Sequence, residues 1–375
     1  MGKVVAGRAE AAHRAGENAG GSDDGTGAES AIVRRKRDHL DIVLSGRAAP
    51  GTKSAGFERF DFVHAALPEL HADRVSTATT FLGRPLSAPL LVSAMTGGPD
   101  RAAAINRNIA EACQAMGLAM AVGSQRVALE GGASAGLAGE LRRIAPSIPL
   151  MGNLGAAQLN LGYGADEARR LVDMIEADAL TIHLNPLQEA LQHGGDRDWR
   201  GLLGRIEALA AALPVPLGIK EVGNGISGPL ARRLVDAGAA VIDVAGAGGT
   251  SWAAVEGERH ADPLMREVAA AFGDWGIPTA DAVRAVRARC PDTALVASGG
   301  VRNGVDVAKA IALGADMAGQ AAATLAAALQ SADALAAHFR VVVEQLRVAM
   351  FCVGAGDLKA LRGAELVEGQ AATLP

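Results

Sequence analysis

The sequence has few aromatic side chains and no strong excess of either charge. Phe, Trp and Tyr make up 3% of the 375 residues, and the formal net charge is −5 at pH 7. Many nucleic-acid-binding proteins stack bases on aromatic rings, and membrane proteins place Trp and Tyr at both interfaces. A slightly acidic chain also has no general attraction for polyanions. These shortages argue against nucleic-acid and membrane partners, and any phosphate must be bound locally.

Cysteine is also scarce. The three cysteines, Cys113, Cys290 and Cys352, lie far apart and lack the spacing of metal ligands. An odd number of thiols is typical of proteins from a reducing compartment. No uncharged apolar run reaches the roughly 18 residues of a membrane span, and the N-terminus has no apolar signal core. We therefore expect a soluble cytoplasmic protein.

Glycine and apolar residues are abundant. Glycine accounts for 47 residues, hydrophobic residues for 49% and charged residues for 21%. This composition is typical of an α/β enzyme with many tight strand-to-helix turns. Residues 1–30 differ, because they contain almost no large apolar side chains, and we expect them to form a flexible tail. The remaining length suits one large domain, since α/β barrels use about 250 residues as a single unit.

Short apolar runs recur at regular intervals after residue 85, and runs of this length bounded by Gly, Pro and polar residues predict buried strands. Helical patterns lie between them. Eight strands alternating with helices predict a single (β/α)₈ TIM barrel from about residue 85 to about residue 330, closed by a helix near Ala332–Met350. A doubly wound open sheet is the alternative, although no Gly-x-Gly-x-x-Gly motif opens a helix after the first strand. The predicted strands are Leu90–Met95, Leu118–Gly123, Pro149–Leu154, Ala179–Leu184, Pro216–Glu221, Ala239–Val244, Ala294–Ser298 and Asp316–Gln320, and the predicted helices include Ala102–Met116, Asp166–Ala177, Gly228–Ala237 and Val305–Leu313.

Polar side chains gather directly after the fourth predicted strand. This strand exit carries the stretch His183-Leu184-Asn185-Pro186-Leu187-Gln188-Glu189. Pro186 ends the strand because it has no N–H for the sheet, and parallel strands carry ligand chemistry just past their C-terminal ends. The imidazole, the amides and the carboxylate offer hydrogen-bond donors, acceptors and a hard metal ligand. Alone, the stretch fits either a ligand site or a hydrogen-bonded strand cap.

Other strand exits are rich in glycine. Gly97–Gly98 follows the first predicted strand, Gly248–Gly249 the sixth and Gly299–Gly300 the seventh. Backbone N–H groups without side-chain bulk bind anions, and barrels favour the loops after the last two strands for phosphate. Glycine can also serve only to turn the chain. Three glycine-rich exits at one barrel mouth favour a phosphate-bearing cofactor.

A basic segment precedes the barrel. Arg34–Arg37 places four cations just before His39 and a short amphipathic stretch. The simplest interpretation is a solvated basic surface, which charge runs usually form. The alternative is an anion clamp folded over the barrel mouth. The charge run alone favours the first interpretation.

Seven motifs occur in a fixed order along the chain: Arg35-Lys36 with His39, Met95-Thr96-Gly97-Gly98, Gly123-Ser124-Gln125-Arg126, His183 to Glu189, Lys220-Glu221-Val222-Gly223, Gly248-Gly249-Thr250-Ser251-Trp252 and Ser298-Gly299-Gly300-Val301-Arg302. This ordered set resembles type 2 isopentenyl-diphosphate isomerase, an FMN-dependent family. The resemblance covers residues 34–352, and its most specific motif is the stretch from His183 to Glu189.

The resemblance implies that FMN lies along the barrel mouth. Lys220 alone could be an ordinary salt-bridge residue. Near the N1–O2 edge of the flavin it would stabilise the anionic reduced ring. The implied flavin contacts are Met95, Thr96, Ser124, Asn153, Lys220, Thr250, Gly299, Arg302 and Ala321.

The same resemblance implies conversion of isopentenyl diphosphate into dimethylallyl diphosphate by a 1,3-allylic rearrangement. Reduced FMN would act as acid and base, and NADPH would only reduce the flavin. Glu189 would bind the diphosphate through Mg²⁺, which bridges carboxylates and phosphate oxygens. Gln188 would lie beside the reacting carbons and form the catalytic pair with Lys220. The implied substrate ligands are Arg35, Lys36, His39, Arg126, His183, Asn185 and Gln188.

These patterns and the resemblance divide the chain into four parts. Residues 1–30 form a disordered tail, residues 31–84 contribute to the substrate site, residues 85–352 form the FMN-binding barrel, and residues 353–375 form a C-terminal tail. Arg35, Lys36 and His39 look too polar for a core, so we expect them to close over the diphosphate as a lid. The family further implies a homo-oligomer, either a tetramer or an octamer.

Other functions could use the same barrel. A flavin oxidoreductase acting on 2-hydroxy acids or dihydropyrimidines usually needs a histidine base late in the barrel, and we expect His260, the only candidate there, to face solvent. A barrel like inosine-monophosphate dehydrogenase needs a nucleophilic cysteine after the sixth strand, whereas Cys290 ends a predicted helix. A non-catalytic phosphate-binding barrel would not need Gln188 and Glu189 beside a flavin site.

Overall fold

The segment before the barrel contains one helix and three short strands. The computed structural model describes residues 31–48, 51–95, 99–130 and 139–369. The predicted tail at residues 1–30, the loop residue Thr96 and residues 370–375 therefore lie outside the described residues. The elements of this segment are α1 (Ala31–Leu44), β1 (Phe60–Phe62), β2 (Thr79–Phe81) and β3 (Arg84–Leu86), with 3₁₀ turns at Phe57–Arg59 and Ala72–Arg74.

Eight parallel strands then close into a barrel in chain order, which confirms the predicted TIM barrel. The last strand pairs with the first, so that Ala318 lies opposite Leu90. Each predicted strand is present, with ends that differ by up to three residues. The barrel strands are β4 (Leu90–Val92), β5 (Ala119–Ala121), β6 (Leu150–Gly155), β7 (Ala179–Leu184), β8 (Leu217–Glu221), β9 (Val241–Asp243), β10 (Ala294–Ser298) and β11 (Met317–Gln320).

Helices follow the strands and cover the outside of the barrel. The four predicted helices and the closing helix are present, although their ends are shifted by a few residues. The apolar residues of the closing helix, α15, recur at helical spacing and are buried, including Leu335, Phe339 and Leu346. The helices are α2 (Pro99–Met116), α3 (Arg126–Leu129), α4 (Glu140–Ile144), α5 (Ala156–Asn160), α6 (Ala165–Ile175), α7 (Pro186–Leu191), α8 (Leu202–Ala212), α9 (Gly228–Asp236), α10 (Trp252–Arg259), α11 (Pro263–Ala270), α12 (Thr279–Arg289), α13 (Gly304–Ala312), α14 (Ala322–Gln330), α15 (Ala332–Cys352) and α16 (Leu358–Arg362).

The interior of the barrel is a packed apolar core with a polar upper layer. Every second residue of a strand points inward, so alternate apolar side chains such as Leu91, Met151 and Val296 meet on the barrel axis. The β2–β3 hairpin packs Phe81 and Leu86 into the same cluster from below. Polar side chains replace the apolar ones at the C-terminal strand ends. The polar side chains inside the barrel that could contact a ligand therefore lie at its C-terminal end.

Two matching ion-pair clusters tie the opposite, N-terminal ends of the strands together. Asp178 accepts hydrogen bonds from Arg84 at 2.7 Å, from Arg142 at 2.7 Å and from the backbone N–H of Leu150 at 2.9 Å. We call this cluster the Asp178 clasp. Arg142 also donates to the backbone carbonyl of Glu176. One aspartate thus joins the start of β6 to the residue before β7.

The second cluster, the Asp316 clasp, repeats this arrangement half a barrel away. Asp316 accepts hydrogen bonds from Arg287 at 2.7 Å, from Arg362 at 2.6 Å and from the N–H of Leu295 at 2.9 Å. Arg287 also donates to the carbonyl of Gly314, two residues before the aspartate. Both clasps lie far from the polar end of the barrel, so they stabilise the closed sheet without contributing to the site.

The C-terminal segment is more ordered than the sequence suggests. Residues 353–369 were expected to belong to a tail, yet they contain α16 and an additional strand, β12 (Leu366–Glu368). β12 pairs antiparallel with β1, and Leu361 of α16 is buried. The pairing partner lies about 300 residues earlier, so local sequence gives no indication of it. Within the described ranges, no helix is long and apolar enough to cross a membrane.

Candidate functional site

Two adjoining cavities open at the C-terminal ends of the barrel strands. The first has a volume of about 440 Å³ and lies over β8, β10 and β11. The second has a volume of about 290 Å³ and lies over β5, β6 and β7. Six residues line both: His39, Ala94, Met95, Lys220, Val222 and Trp252. The cavities are therefore two halves of one site, and Lys220 lies where they meet.

Helix α1 covers the junction of the two cavities. His39 is buried, its Nε2 lies 2.9 Å from Oε1 of Glu256, and its ring packs edge-to-face on Trp252 at 5.1 Å between centroids. Ile42 packs with Val255 in a small apolar cluster beside this contact. The expectation that His39 is too polar for a buried position is wrong, because Glu256 satisfies its ring nitrogen. α1 is thus anchored by its C-terminal half, and its basic residues project over the second cavity.

Basic residues from α1 dominate one side of the second cavity. Arg35 and Lys36 both line it, and the Lys36 ammonium donates to the carbonyl of Ser124 at 3.2 Å. Burial and the neighbouring Arg35 lower the pKa of Lys36 to about 8. Burial also lowers the pKa of Arg35, although Glu189 and Glu256 oppose that effect. Half-buried neighbouring cations favour an anionic ligand between them, because an anion offsets both their desolvation and their mutual repulsion.

Arg126 faces this cavity from the start of α3. Its guanidinium pairs with Glu130 at 2.7 Å and with Asp196 at 3.4 Å. Burial alone would lower the pKa of Arg126, but its hydrogen bond to Glu130 and the negative charges of Glu130 and Asp196 together raise it. Tyr163 donates its hydroxyl to the same Glu130 oxygen at 2.8 Å. The guanidinium is therefore held at the cavity wall by two carboxylates.

His183 and Asn153 face each other across β6 and β7. His183 Nδ1 lies 2.7 Å from the Asn153 side-chain oxygen, so the ring carries its proton on Nδ1 and leaves Nε2 as an acceptor unless it is protonated. Burial, with the positive charges of Lys220 and Lys36, lowers the pKa of His183 to about 4. His183 is consequently neutral at pH 7. An anion binding beside it would counteract that shift.

Glu189 is buried in a network that uses both of its oxygens. Oε1 accepts from the Asn185 amide at 2.9 Å, and Oε2 accepts from Gln192 at 3.2 Å and from the N–H of Asp196 at 2.8 Å. No group of three or more His, Cys, Asp or Glu side chains in the described part of the chain is arranged to hold a metal ion. A cation at Glu189 would thus need ligands from a bound anion or water, which is how Mg²⁺ usually binds beside phosphates.

Gln188 shares the Asn185 amide donor with Glu189 through its oxygen, and its nitrogen faces α10. Its amide donates to Oε1 of Glu256 at 3.0 Å, the oxygen that also contacts His39. Arg259 binds the other oxygen of Glu256 at 2.9 Å. Burial would raise the pKa of Glu256, but the hydrogen bonds from His39 and Gln188 and the charge of Arg259 together lower it. Glu256 is therefore ionised, and its hydrogen bond with Gln188 orients that amide.

Sequence reasoning missed Glu256. It lies in Glu256-Gly257-Glu258-Arg259, which has the composition of a solvated helix face. The available signal was its position one turn after Trp252, on the face that also carries the buried Val255.

The first cavity has a mostly apolar wall with much glycine and alanine. Thr250, Gly299, Arg302 and Ala321 line it, together with Met95 and Lys220. Gly300 has φ of +73°, and a Cβ there would lie 2.6 Å from the carbonyl oxygen of Gly248. Only glycine lets the loops after β9 and β10 pack this closely. Together with the exposed Arg302, these loops offer backbone and guanidinium donors to a phosphate at the edge of the apolar cavity.

The predicted site residues are divided between the two cavities. Every predicted substrate ligand, and Glu189, lines the second cavity. Six of the nine predicted flavin contacts line the first, whereas Ser124 and Asn153 line only the second and Thr96 lies outside the described residues. Among described residues, the buried atoms Ser93 Oγ and Asn185 Oδ1 have no hydrogen-bond partner, and each residue lines one cavity. Unpartnered buried polar atoms of this kind fit a site that receives polar ligands.

Asp243 and Ser298 contact the Lys220 ammonium from inside the barrel. Its ammonium lies 3.3 Å from a carboxylate oxygen of Asp243 and 3.3 Å from the hydroxyl oxygen of Ser298. Asp243 was also missed, although a single acid inside the apolar run Val241-Ile242-Asp243-Val244 is a recognisable signal. The next residue, Glu221, accepts hydrogen bonds from the N–H groups of Val222 at 2.7 Å and Gly223 at 2.6 Å. Burial raises the pKa of Glu221 to about 7 despite these bonds.

The residues that rival functions would require lie away from the cavities. His260 is not solvent-facing as expected: it is half-buried, and its Nε2 lies 2.6 Å from the carbonyl oxygen of Leu191. It lines neither cavity. Cys290 is buried at the end of α12, as the sequence predicts.

Comparisons with known proteins identify similar chains. Residues 183–368 match the family described as FMN-dependent dehydrogenase. The isopentenyl-diphosphate delta-isomerase of Stutzerimonas stutzeri is 62% identical over 340 residues, which cover 91% of this chain and 98% of that protein. The protein of the same name from Xanthobacter autotrophicus is 60% identical over 334 residues, covering 89% of this chain and 97% of that one. A crystal structure of mandelate oxidase shares the fold at a TM-score of 0.61 and 17% identity, covering 90% and 98% of the two chains.

Proposed function

The chain belongs to the isopentenyl-diphosphate delta-isomerase family, and on this premise we propose that it is a type 2, FMN-dependent enzyme. The proposed reaction moves the double bond of isopentenyl diphosphate to give dimethylallyl diphosphate. The terminal alkene carbon gains a proton, and the methylene next to the developing tertiary cation loses one. No net oxidation occurs.

One observation supports this proposal most strongly: a basic cavity and an apolar cavity meet at Lys220. The basic cavity offers Arg35, Lys36 and Arg126 to a diphosphate. The apolar cavity, of about 440 Å³, has room for a flat cofactor and a glycine-rich loop for its phosphate. A short allylic chain leaving the diphosphate site would reach the junction.

The residues of the first cavity fit FMN. Thr250, Gly299, Arg302 and Ala321 would hold it, and Lys220 would stand beside its ring. When bound, reduced FMN supplies an acid and base beside the substrate and an anionic ring facing the developing cation. The Lys220 ammonium favours that anionic form electrostatically. Ser124, Asn153 and Thr96 remain predicted flavin contacts.

The residues of the second cavity would bind and orient the substrate. Arg35, Lys36 and Arg126 would contact diphosphate oxygens, together with His39 and Asn185. His183 would donate to them once the bound anion raises its pKa and Nε2 gains a proton. Glu189 would bind Mg²⁺, with the remaining ligands from the diphosphate and water. Gln188 would lie next to the allylic carbons, where its amide can hold a proton donor or acceptor in line, because Glu256 fixes its orientation. α1 would act as the lid that excludes water from the developing cation.

Further properties rest on family membership and on the sequence. We include NADPH as the reductant of the flavin, a homo-oligomeric tetramer or octamer, and a cytoplasmic location. The proposed parts are a substrate-binding segment at residues 31–84 and an FMN-binding barrel at residues 85–352. The ordered residues 353–369 then extend the barrel domain.

An anaerobic assay tests the proposal. With photoreduced FMN and Mg²⁺, the protein should convert isopentenyl diphosphate over many turnovers while the flavin stays reduced. In deuterated water the newly formed methyl group should gain deuterium, because its proton comes from an exchangeable acid. Gln188→Ala should lower kcat more than it raises KM, whereas Gln114→Ala, which alters an amide that hydrogen-bonds exposed Ser147, should change neither.

The alternative is an FMN-dependent oxidoreductase on the same barrel, for which the match to the dehydrogenase family is the specific observation. Oxidation of one nicotinamide per turnover, or full activity with oxidised flavin, would favour this alternative over the isomerase.

A further inference from the structure

Three polar residues on adjacent strands form a closed triangle under the junction of the two cavities. Lys220 of β8 lies opposite Asp243 of β9 in register, and Ser298 ends the next strand, β10. The Ser298 hydroxyl donates to Asp243 Oδ1 at 2.6 Å, and the Lys220 ammonium lies 3.3 Å from both Asp243 Oδ2 and Ser298 Oγ. All three residues are buried, with 9%, 6% and 3% of the Lys220, Asp243 and Ser298 surfaces exposed.

Asp243 would affect a ligand indirectly, through Lys220 and Ser298. Lys220 lines both large cavities and Ser298 lines the first, but Asp243 lines neither. Asp243 instead borders a small space of about 10 Å³ below the triangle, inside the barrel. Its other oxygen is occupied by Ser298 and by the N–H of Ala245 at 3.3 Å. The carboxylate therefore faces the back of the ammonium, and the ligand would face its front.

Few polar groups other than Asp243 border the small space below the Lys220 ammonium. Its walls are mostly apolar, including Leu91, Met151 and Val296. The one hydroxyl that borders it, Thr181 Oγ1, has no hydrogen-bond partner among the described residues. A space of this volume holds about one water molecule. Asp243 is the one carboxylate among the residues that border this space, so it is the counter-charge that faces the Lys220 ammonium from this side.

We propose that Asp243 is the positioning residue of Lys220: by its own contact and through the Ser298 bridge it fixes the ammonium at the junction of the two cavities. This inference rests on the proposed function, because it assigns Lys220 to the flavin ring. Asp243 and Ser298 then determine how strongly the site favours reduced over oxidised FMN, because only the reduced ring is anionic.

The first test uses the ligand-free protein. The rate at which acetic anhydride acylates Lys220 at pH 8 is measured by peptide mass spectrometry, because an amine released from its contacts with Asp243 and Ser298 should react faster. Asp243→Asn, which keeps the size and the Ser298 contact, should raise this rate at least tenfold. Ser298→Ala should raise it by a smaller factor. Asp178→Asn is the matched control, a buried aspartate–arginine pair at the other end of the barrel, and it should leave the Lys220 rate unchanged.

The second test measures the dissociation constants of oxidised and photoreduced FMN. Asp243→Asn should weaken binding of reduced FMN at least tenfold and change binding of oxidised FMN by less than about threefold. In a Lys220→Met background the same substitution should have no further effect on the ratio, because the group through which it acts is gone. Asp178→Asn should leave both constants unchanged.

The outcomes separate this inference from the proposed function. Wild-type protein that binds FMN but does not isomerise the diphosphate refutes the function, while both tests of Asp243 stand. If the wild type binds no FMN, the acylation rates alone test the role of Asp243. An unchanged Lys220 rate in Asp243→Asn overturns the inference, as does an equal effect on FMN with and without Lys220. If Asp243→Asn does not fold, Ser298→Ala decides: an unaltered acylation rate in that variant overturns the inference.

Discussion

His39 and Glu256 form a buried hydrogen bond of 2.9 Å between residues 217 positions apart. This contact joins α1 to α10 and is reinforced by the edge-to-face packing of His39 on Trp252. Because Gln188 binds the same Glu256 oxygen, the contact couples the position of α1 to the orientation of a proposed catalytic amide. One carboxylate therefore links α1 to the amide that we propose lies beside the reacting carbons.

The first prediction concerns this coupling. His39→Ala and Glu256→Gln should each lower stability, and a double-mutant cycle of unfolding free energies should show a coupling of about 1–2 kcal/mol, as expected for a buried charge-assisted hydrogen bond. Each single variant should also lower kcat, since Glu256→Gln removes the charged acceptor of Gln188 and His39→Ala removes a contact that holds that acceptor. His64→Ala is a suitable control, because His64 is an exposed histidine of the same N-terminal segment. Strictly additive single effects would show that the two residues act independently.

The same contact predicts a pH dependence. The pKa of Glu256 is lower in the folded protein than its ordinary value of 4.5. Its ionised form therefore stabilises the fold above the unfolded-state pKa, and this stabilisation is lost as the pH falls through the folded-state pKa. The melting temperature of Glu256→Gln should consequently depend less on pH below 5 than that of the wild type.

The sequence predicts the barrel well because its signal is local. Each strand is a short apolar run, and the eight observed strands lie within the predicted ones or differ at their ends by a residue or so. β1 and β12 are different: they pair only with each other, from opposite ends of the chain, so neither carries a local signature. The clasps escape prediction for the same reason, because Arg84 and Arg362 reach their aspartates from elements outside the barrel.

The residues of the candidate site also divide into those with a local sequence signal and those without one. Residues at strand exits, such as His183 and Lys220, could be predicted as site residues because the C-terminal ends of barrel strands lie where these folds bind ligands. Glu256 and Asp243 could not be assigned, because their importance depends on the partners that three-dimensional packing supplies. His39 lines the second cavity with the other predicted substrate ligands, yet its burial depends on Trp252 and Glu256, which no pattern in α1 reveals.

The next prediction concerns Lys36, whose pKa is lowered to about 8 from an ordinary value of 10.5. Only its charged form should bind a diphosphate, so KM should rise as the pH increases above 8, while kcat should change less because the bound anion restores the proton. Unfolding at high pH would not explain this rise in KM. Between the two pKa values, Lys36 binds more protons in the unfolded chain than in the folded protein, so this group makes the protein more stable as the pH increases.

Lys36→Met should remove this rise and increase KM about tenfold at pH 7, the equivalent of about 1.4 kcal/mol. Lys359→Met, at an exposed position on α16, is the control and should leave KM unchanged at every pH. A wild-type KM that stays constant from pH 7 to pH 9.5 would contradict the assignment of Lys36 to the diphosphate.

The two clasps should contribute to stability alone. Asp178→Asn should lower the unfolding free energy by about 2–3 kcal/mol, because it leaves the guanidinium of Arg142, whose side chain is only 10% exposed, without its counter-charge. Asp316→Asn should lower it by about 1–2 kcal/mol, since its pair with Arg287 is more exposed. Chemical denaturation measures both. kcat and KM should stay at wild-type values, and a change in either would show that the lower end of the barrel is coupled to the site.

The last prediction concerns Glu189. Its two oxygens accept hydrogen bonds from Asn185, Gln192 and the N–H of Asp196, so the carboxylate is held rigidly at the wall of the second cavity. Glu189→Gln keeps the size of the side chain but replaces one oxygen with an NH₂ group, which cannot bind a cation and repels the donors of Gln192 or Asp196. The Mg²⁺ concentration for half-maximal activity should rise at least tenfold, and much of the rate should be lost. FMN should bind as in the wild type, because Glu189 lines only the second cavity.

Glu130→Gln is the matched control for Glu189. It also removes one negative charge near the second cavity, but Glu130 contacts Arg126 and Tyr163 and does not line the cavity. It should therefore raise KM for the diphosphate, because Arg126 loses a partner that holds it at the wall, while the Mg²⁺ dependence stays as in the wild type. If Glu189→Gln instead keeps the wild-type Mg²⁺ dependence, the carboxylate serves only to order the loop at Asp196, and the metal must bind through the diphosphate alone.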